Sequence, residues 1–312
     1  MILIITHKED YTTDIVVNKL NQLGLKYYRF NTEDFIDKVT IDVNIRNDRI
    51  FPEVIINEID RIKSVWFRRV RLPEIKGVSS PYEKTYIQNE VDMLFSNLWE
   101  IIDANWLSIP RKVYQAENKL LQLKKAMEIN FNIPKTLVSN NPKSIRSFYF
   151  ENNRNIIIKP VYHNRVVYGD SQELIFTNKI EEKHIENLDS FLRLPSVFQE
   201  RIEKELELRI TVVGNSVFSA FVNSQSDEET KIDWRRKKLQ FSKFELPKKI
   251  ENLCVALVKS FDLSFGAIDL ILDKKGEFYF LEINPNGQWG WIEFDTGLPI
   301  SDAIIEFLRK QI

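Results

Sequence analysis

Two carboxylates on neighbouring apolar segments are the residues of this sequence best suited to chemistry. Asp269 and Glu282 lie in two apolar runs that a Lys-Lys-Gly turn separates, a pattern that predicts a β-hairpin. With the turn centred between Lys275 and Gly276, Asp269 lies directly opposite Glu282, with their Cβ atoms ~5 Å apart. Asn284, two residues further along, lies on the same face of its strand.

The chemistry that this pair predicts is the binding of a divalent cation. Two carboxylates side by side repel each other unless a cation joins them, and oxygen ligands are those that Mg²⁺ prefers. We therefore identify Asp269 and Glu282 as candidate ligands of a Mg²⁺ ion that bridges phosphate oxygens. The prediction depends on the hairpin register, because a slip of one residue separates the pair. The alternative is a pair of edge-strand charges that face solvent, which explains poorly an aspartate between isoleucine and leucine.

Charged residues upstream suit a bound nucleotide. Lys159 ends the apolar run 156–159, where a compact ammonium group is placed to hold a phosphate. Main-chain groups of Glu200 and Arg201 are candidates for holding an adenine edge, and Glu207 for holding ribose hydroxyls. Each of these patterns, taken alone, is also typical of solvent-exposed strand ends.

The elements that must position these residues predict an α/β chain. Residues 1–6 read as a buried strand, followed by an amphipathic helix at 11–23 and a strand at 26–30, which together form a βαβ unit. Residues 6–10 lack the glycine-rich turn of dinucleotide-binding proteins. Further helices are predicted at 82–102, 117–131, 248–262 and 301–311. The predicted units are 1–107, 108–195 and 196–312.

The composition limits the partners and the cellular location that the protein can have. The chain has 312 residues, 43% of them hydrophobic and 29% charged, and a formal net charge of −1, so no overall field favours nucleic acid or an anionic membrane. No run approaches the ~18 apolar residues of a membrane span. The single cysteine, Cys254, excludes an internal disulfide and lies in an apolar helical run. We expect a cytoplasmic protein, and a homodimer is compatible with the sequence.

The order of the charged residues over 108–312 resembles the ATP-grasp superfamily. The segments that carry the resemblance are Lys159, Glu200-Arg201, Glu207-Leu208-Arg209, Asp269 and Glu282-Ile283-Asn284. It implies an ATP-grasp fold with an N-terminal Rossmann-like pre-ATP-grasp domain, a small central α/β domain and a C-terminal antiparallel-sheet domain. It also implies ATP and Mg²⁺ as cofactors. Two lysines, Lys119 and Lys159, would contact phosphates, and Glu200 and Arg201 would form the hinge. The metal ligands would be Asp269, Glu282 and Asn284.

A closer resemblance comes from residues 281–293, which read Leu-Glu-Ile-Asn-Pro-Asn-Gly-Gln-Trp-Gly-Trp-Ile-Glu. This segment is similar to the signature of the microviridin-type, or graspetide, ligases, and residues 65–69 and 232–235 are similar to other segments of that branch. The resemblance implies a ribosomally made precursor peptide as partner. Asp or Glu side chains of that peptide would be phosphorylated and joined to Ser, Thr or Lys side chains, which closes macrocycles.

Further residues are candidates for handling the substrate. We assign Arg209 and Arg235 to the γ-phosphate and the acidic acceptor, because guanidinium groups pair bidentately with both. A surface salt bridge is the alternative for Arg235. Segment 161–168 lacks the usual glycines, so side chains such as His163 or Arg165 are expected to cover the phosphates. Candidates for contacts with the reacting peptide are Trp234, Arg235, Trp289 and Trp291, with core packing as the alternative for the tryptophans.

Two other functions stay open at this point. The first is a different ATP-grasp ligase, which adds glutamate to a protein or joins small amino acids. Turnover of ATP that depends on free glutamate would favour it. The second is a peptide-binding module without catalysis, which tight peptide binding without ATP turnover would favour. The retained Lys159, Asp269, Glu282 and Asn284 argue against it.

Overall fold

The computed structural model describes residues 1–161, 165–168, 171–188 and 194–310, with the backbone alone at 165–168 and 171–174. Helices and strands alternate along the N-terminal and central parts, and a large antiparallel sheet dominates the C-terminal part. The α/β class predicted from the sequence is therefore confirmed. None of the helices in the described ranges combines the length and the apolar character needed to cross a membrane.

The N-terminal part is a parallel sheet with accompanying helices: β1 (Ile2–Thr6), α1 (Tyr11–Gln22), β2 (Tyr27–Asn31), α2 (Phe35–Lys38), β3 (Ile41–Asn44), β4 (Glu53–Ile56), β5 (Ser64–Phe67), α3 (Pro81–Ile101) and β6 (Asn105–Trp106). The sheet has the order β2-β1-β5-β6, while β3 and β4 form a separate antiparallel pair. All residues of β1 are buried, as expected of a parallel strand covered on both faces. Asp10 begins α1, because its side chain accepts hydrogen bonds from the N–H groups of Thr12 and Thr13.

The central part is smaller: α4 (Pro110–Ala116), α5 (Lys119–Glu128), β7 (Thr136–Ser139), α6 (Pro142–Glu151), β8 (Ile156–Lys159), β9 (Arg165–Tyr168), β10 (Ser171–Leu174), β11 (Asn178–Lys179), α7 (Glu182–Glu186) and β12 (Ser196–Glu200). One sheet has the order β11-β8-β12-β7, and β9 pairs with β10. The helix predicted at 117–131 is confirmed as α5, which is shorter at both ends. Asn118 begins a new helix by accepting a hydrogen bond from the N–H of Leu121, and Asn130 lies past its end with φ of 60°.

The C-terminal part contains β13 (Lys204–Val213), β14 (Ser216–Val222), β15 (Ser242–Lys243), α8 (Lys248–Ser260), β16 (Phe265–Asp273), β17 (Phe278–Asn284), α9 (Gly290–Thr296) and α10 (Ile300–Arg309). Its strands form one antiparallel sheet in the order β15-β14-β13-β16-β17. The apolar side of α8, which includes Cys254, Leu257 and Val258, packs on this sheet. Cys254 is thus a buried core residue, and burial raises the pKa of its thiol to about 12.

The N-terminal sheet and the C-terminal helices share one hydrophobic core. Ile2 and Trp66 from the sheet pack with Trp289, Ile304 and Leu308 from the end of the chain. The segment that follows β17 is therefore held against the N-terminal sheet. The unit boundaries at 107 and 195 stay predictions.

Candidate functional site

The β16–β17 hairpin brings Asp269 opposite Glu282, as predicted, but through a different register from the one assumed. Near the turn, Leu270 pairs with Phe280, a register that would place Asp269 opposite Leu281. A β-bulge at this point shifts the register, so that Asp269 pairs with Glu282. Bulges re-aim side chains next to active sites in many proteins. The facing carboxylates are therefore produced by an irregularity that local sequence patterns do not specify.

The residues predicted from the sequence to hold ATP, Mg²⁺ or the reacting carboxylate all line one cavity of about 280 Å³. They are Lys119, Lys159, Glu200, Arg201, Glu207, Arg209, Arg235, Asp269, Glu282 and Asn284. These residues come from two helices, several strands and a loop, and the fold brings them together. Of the phosphate-covering candidates, His163 and the side chain of Arg165 lie outside the described residues.

The carboxylate pair is surrounded by cations. Arg209 lies opposite Asp269 on β13, and its Nη1 donates to Oδ1 of Asp269 at 2.7 Å. Nζ of Lys119, in the first turn of α5, lies 3.7 Å from Oε2 of Glu282. Burial raises the pKa of Asp269, against the attraction of Arg209. Burial opposes the charge of Glu282 too, but the nearby cations, first Lys119 and then Lys159, hold its pKa below the ordinary value.

Lys159 is the last residue of β8 and points its ammonium group into this cavity. Burial lowers its pKa to about 8, and the charges of Lys119, Lys204 and Arg235 act in the same direction. Glu282 opposes this shift. Several cations gathered around the ammonium group of Lys159 form a suitable place for an anion, since a bound phosphate would relieve their repulsion.

The predicted nucleoside end of the cavity is formed where β12 ends. The N–H groups of Glu200 and Arg201 already donate to the carbonyl oxygens of Lys135 and Asn155, at 3.0 and 2.9 Å. A bound adenine would therefore form hydrogen bonds with the carbonyl of Glu200 or with the main chain of Ile202, which also lines the cavity. Of the main-chain groups predicted to hold adenine, the two N–H groups are therefore engaged within the protein.

Glu207 lies on β13 at the same end of the cavity and is buried. Its Oε1 accepts a hydrogen bond of 2.8 Å from Nζ of Lys204, which also donates to the carbonyl of Ile232 at 2.9 Å. Burial raises the pKa of Glu207, although Lys204 opposes the shift. Lys204 was not predicted from the sequence, although its spacing of three residues from Glu207 is typical of such a pair.

Arg235 is fixed by an intramolecular partner that the sequence analysis also missed. Asp233 begins the short 3₁₀-helix Trp234–Arg236 and accepts from Nε and Nη2 of Arg235 at 2.8 and 2.6 Å. A further hydrogen bond of 3.2 Å from the N–H of Thr177 orients Asp233. The bidentate bond to Asp233 raises the pKa of Arg235, which therefore stays charged beside the cavity. The aspartate two residues before the arginine was the available signal.

The tryptophans divide between core and cavity. Trp289 is fully buried in the core shared with the N-terminal sheet, so the prediction that it is an exposed peptide contact is wrong. Trp291 packs on Phe241 with ring centroids 4.6 Å apart, and Trp234 packs on the same ring at 5.1 Å. Trp234 and Phe241 line the cavity. This cluster supports the loop that carries Arg235.

The loop after Asn284 is fixed from both sides. Nδ2 of Asn286 donates to the carbonyl of Arg68 at 3.2 Å, and Nη1 of the buried Arg68 donates to the carbonyl of Gly287 at 3.4 Å. A Cβ atom at Gly287 would lie 2.4 Å from Cβ of Ala267 and 2.9 Å from Nη2 of Arg209. Glycine is therefore required here for close packing.

Comparison with known proteins identifies the family. Residues 1–113 match the MvdD pre-ATP-grasp domain, and residues 116–308 match the RimK-like ATP-grasp domain. A RiPP-associated ATP-grasp ligase of Chryseobacterium gregarium, solved in complex with ADP and a leader and core peptide, is 31% identical, with a TM-score of 0.90, and the match covers 100% of this chain and 97% of that one. Macrocyclase MdnC of Microcystis aeruginosa MRC, bound with precursor peptide MdnA, is 32% identical, with a TM-score of 0.84 and 99% of both chains covered.

A more distant relative, an uncharacterised protein of Methanocaldococcus jannaschii, is 24% identical over 231 residues, which are 70% of this chain but only 56% of that protein. The matches along nearly the full length of the two ligases, with the ATP-grasp fold and the charged cavity, confirm the resemblance found in the sequence. The chain belongs to the RimK-like ATP-grasp family, carries an MvdD-type pre-ATP-grasp domain, and is an ATP-dependent ligase.

Proposed function

We propose that this ligase phosphorylates Asp or Glu side chains of a ribosomally made precursor peptide and joins them to Ser or Thr hydroxyls or to Lys amines, which forms macrocycles. The observation that carries the proposal is the facing pair Asp269 and Glu282, surrounded by Lys119, Lys159 and Arg209 in one cavity. Two similar ligases solved with peptides support the substrate class.

Asp269, Glu282 and Asn284 are the residues that we assign to Mg²⁺. Two carboxylates and an amide oxygen form a set of hard oxygen donors. Burial, with the repulsion of Glu282 added to it, raises the pKa of Asp269, and a bound cation would stabilise its charged form. When bound, the ion neutralises negative charge on the phosphates. Arg209 holds Asp269 from the neighbouring strand, and this fixes one ligand before any metal arrives.

We assign the remaining charged residues to ATP. Lys119 and Lys159 hold phosphates, and the carbonyl of Glu200 with the main chain of Ile202 takes the adenine edge. Glu207, oriented by Lys204, takes the ribose hydroxyls. In such sites, positioning and charge neutralisation carry most of the rate enhancement.

The proposed reaction has two steps. A carboxylate oxygen of the peptide attacks the γ-phosphorus of ATP, the bond from that phosphorus to the β-bridging oxygen breaks, and ADP leaves. A hydroxyl or amine of the peptide then attacks the carbonyl carbon of the acyl phosphate and loses its proton, while inorganic phosphate leaves. Each link therefore removes one water from the peptide. Since Nε and Nη2 of Arg235 bind Asp233, we assign its Nη1 edge to the acidic side chain that reacts.

Mass spectrometry tests the proposal. The protein is incubated with an Asp/Glu- and Ser/Thr-rich candidate precursor, ATP and Mg²⁺, and omission of ATP serves as the control. We expect products lighter than the precursor by whole multiples of one water. A mass gain in the presence of glutamate would instead identify a glutamate ligase, and tight peptide binding without ATP turnover would identify a binding module. The homodimer and the cytoplasmic location stay predictions.

A further inference from the structure

A buried glutamine connects the lysine helix to the strand that carries two of the assigned metal ligands. Gln122 lies on α5 three residues after Lys119 and is 3% exposed. Its Nε2 donates to the carbonyl of Ile283 at 2.8 Å and to the carbonyl of Ala116 at 2.6 Å. Its Oε1 accepts from the N–H of Ile283 at 3.1 Å. One side-chain amide thus satisfies both backbone groups of Ile283.

The position of Ile283 gives these hydrogen bonds their significance. Ile283 is the residue between Glu282 and Asn284, and β17 is the last strand of its sheet. The outer backbone groups of a last strand have no neighbouring strand to pair with. Gln122 takes the place of that strand, and Phe280 is bonded in a similar way through its N–H to the carbonyl of Asn132 at 2.8 Å.

The same helix also holds the first phosphate lysine. Residues three apart on a helix share one face, so Gln122 and Lys119 both point toward β17. Lys119 lies 3.7 Å from Glu282, while Gln122 fixes the backbone one residue further along the strand. A shift of α5 relative to β17 would therefore change the distances between Lys119 and the two assigned ligands, Glu282 and Asn284.

We propose that Gln122 is a positioning residue for metal binding, which fixes Glu282 and Asn284 through the backbone of Ile283 and sets their distance from Lys119. This inference rests on the proposed assignment of those two residues to Mg²⁺. Gln122 itself lines the cavity, and the role proposed here is exerted through its hydrogen bonds to the backbone of Ile283. Partners of this kind commonly change metal affinity by ~10–100-fold when they are removed.

The test is Gln122→Met, which keeps a long unbranched side chain and removes the amide. The matched control is Lys125→Met on the same helix. Lys125 donates to the carbonyl of Ser260 at 2.6 Å, and its ammonium group lies 5.2 Å from the Phe261 ring, on a contact that does not reach β17. Each variant loses a hydrogen bond from α5 to a backbone group. Only Gln122→Met loses one to β17, the strand that carries Glu282 and Asn284.

Two readouts are needed. In the metal-free protein, we expect the amide hydrogen of Ile283 to exchange with solvent at least ~10-fold faster in Gln122→Met and at an unchanged rate in Lys125→Met. In ATP turnover, we expect the Mg²⁺ concentration for half-maximal rate to rise ~10-fold or more in Gln122→Met alone. Should Gln122→Met fail to fold, Gln122→Leu removes the same three hydrogen bonds with an apolar side chain and is expected to shift both readouts in the same direction.

An unchanged Ile283 exchange rate and Mg²⁺ requirement in folded Gln122→Met would overturn the inference. Equal shifts in Gln122→Met and Lys125→Met would also overturn it, since they would show a general loss of helix packing. Failure of the metal assignment itself is separate. It would appear as normal turnover in Asp269→Asn, while the Ile283 exchange measurement would still report the backbone contact.

Discussion

Arg209 and Asp269 lie opposite each other on adjacent strands, and Nη1 of the arginine donates to Oδ1 of the aspartate at 2.7 Å. Glu282 lies directly beyond Asp269 on the next strand, so one cation and two carboxylates form a row across the sheet. The arginine lies on the outside of the row. It therefore orients Asp269 without separating the two carboxylates, and their repulsion remains for a metal ion to relieve.

The carboxylate pair gives the first prediction. Asp269→Asn or Glu282→Gln should lower ligation by at least ~100-fold with the fold intact, because a charged ligand is replaced by a neutral one. Circular dichroism and product formation at saturating Mg²⁺ provide the measurement. Asp273→Asn is the control on the same strand, where the side chain caps the turn through the N–H groups of Lys275 and Glu277. Near-normal ligation in either site variant would rule out the metal assignment.

Lys159 gives a prediction about ATP affinity. Lys159→Met should raise the KM for ATP by ~10-fold or more and lower turnover, because a charged partner of the phosphates is lost. Lys179→Met is the control, since Lys179 is an exposed residue of the neighbouring strand β11. Steady-state kinetics at varied ATP concentration give the KM for ATP and the turnover of each variant. If Lys159→Met and Lys179→Met have the same KM, Lys159 does not contact the nucleotide.

The pKa of Lys159, lowered to about 8 by burial, gives a prediction about pH. Below this value the ammonium group is charged and can hold a phosphate, and above it the charge is lost. We therefore expect kcat/KM for ATP, which reports the free enzyme, to fall as the pH rises through about 8. In Lys159→Arg the guanidinium stays charged, so the fall should move to higher pH. Superimposable profiles for the two proteins would contradict this account.

The sequence predicted that Asp269 faces Glu282, because the Lys-Lys-Gly turn between two apolar runs indicates a hairpin in which these two residues lie opposite each other. It could not predict the bulge that completes the register, since this depends on how β16 and β17 twist together. The sequence also left open whether Trp289 is exposed or lies in the core. That ring packs against strands more than two hundred residues earlier in the chain, and local patterns carry no information about such contacts.

Gly287 gives a prediction about close packing in the loop after the metal ligands. Gly287→Ala should lower ligation by up to ~100-fold, because the added methyl group would collide with Ala267 and displace Arg209 or the loop. The KM for ATP and the rate of ligation are to be measured together with the melting temperature. Retention of the full rate in a protein of unchanged stability would show that the loop yields without disturbing Arg209.

Arg235 gives a prediction about the peptide. Arg235→Ala should impair cross-linking more than binding of the precursor's leader, because its guanidinium lies beside the cavity. We expect the leader, a fixed segment of the precursor, to bind at a distance from the side chains that react. Deleting the leader should weaken binding and slow every link, since tethering raises the local concentration of each reacting side chain. Arg236→Ala is the control, because Arg236 bonds instead to Thr177 and Asn178. Fluorescence binding of labelled leader and product mass distinguish these effects, and equal defects in both arginine variants would contradict the assignment.

The fate of one oxygen atom tests the acyl phosphate most directly. A precursor peptide with ¹⁸O in its Asp and Glu carboxylates is incubated with the protein, unlabelled ATP and Mg²⁺, and the inorganic phosphate is analysed by mass spectrometry. If a peptide carboxylate attacks the γ-phosphorus, each phosphate released during ligation carries one ¹⁸O atom from the peptide. Unlabelled phosphate, formed in equal amount to the new links, would contradict carboxylate activation at the Asp269–Glu282 site.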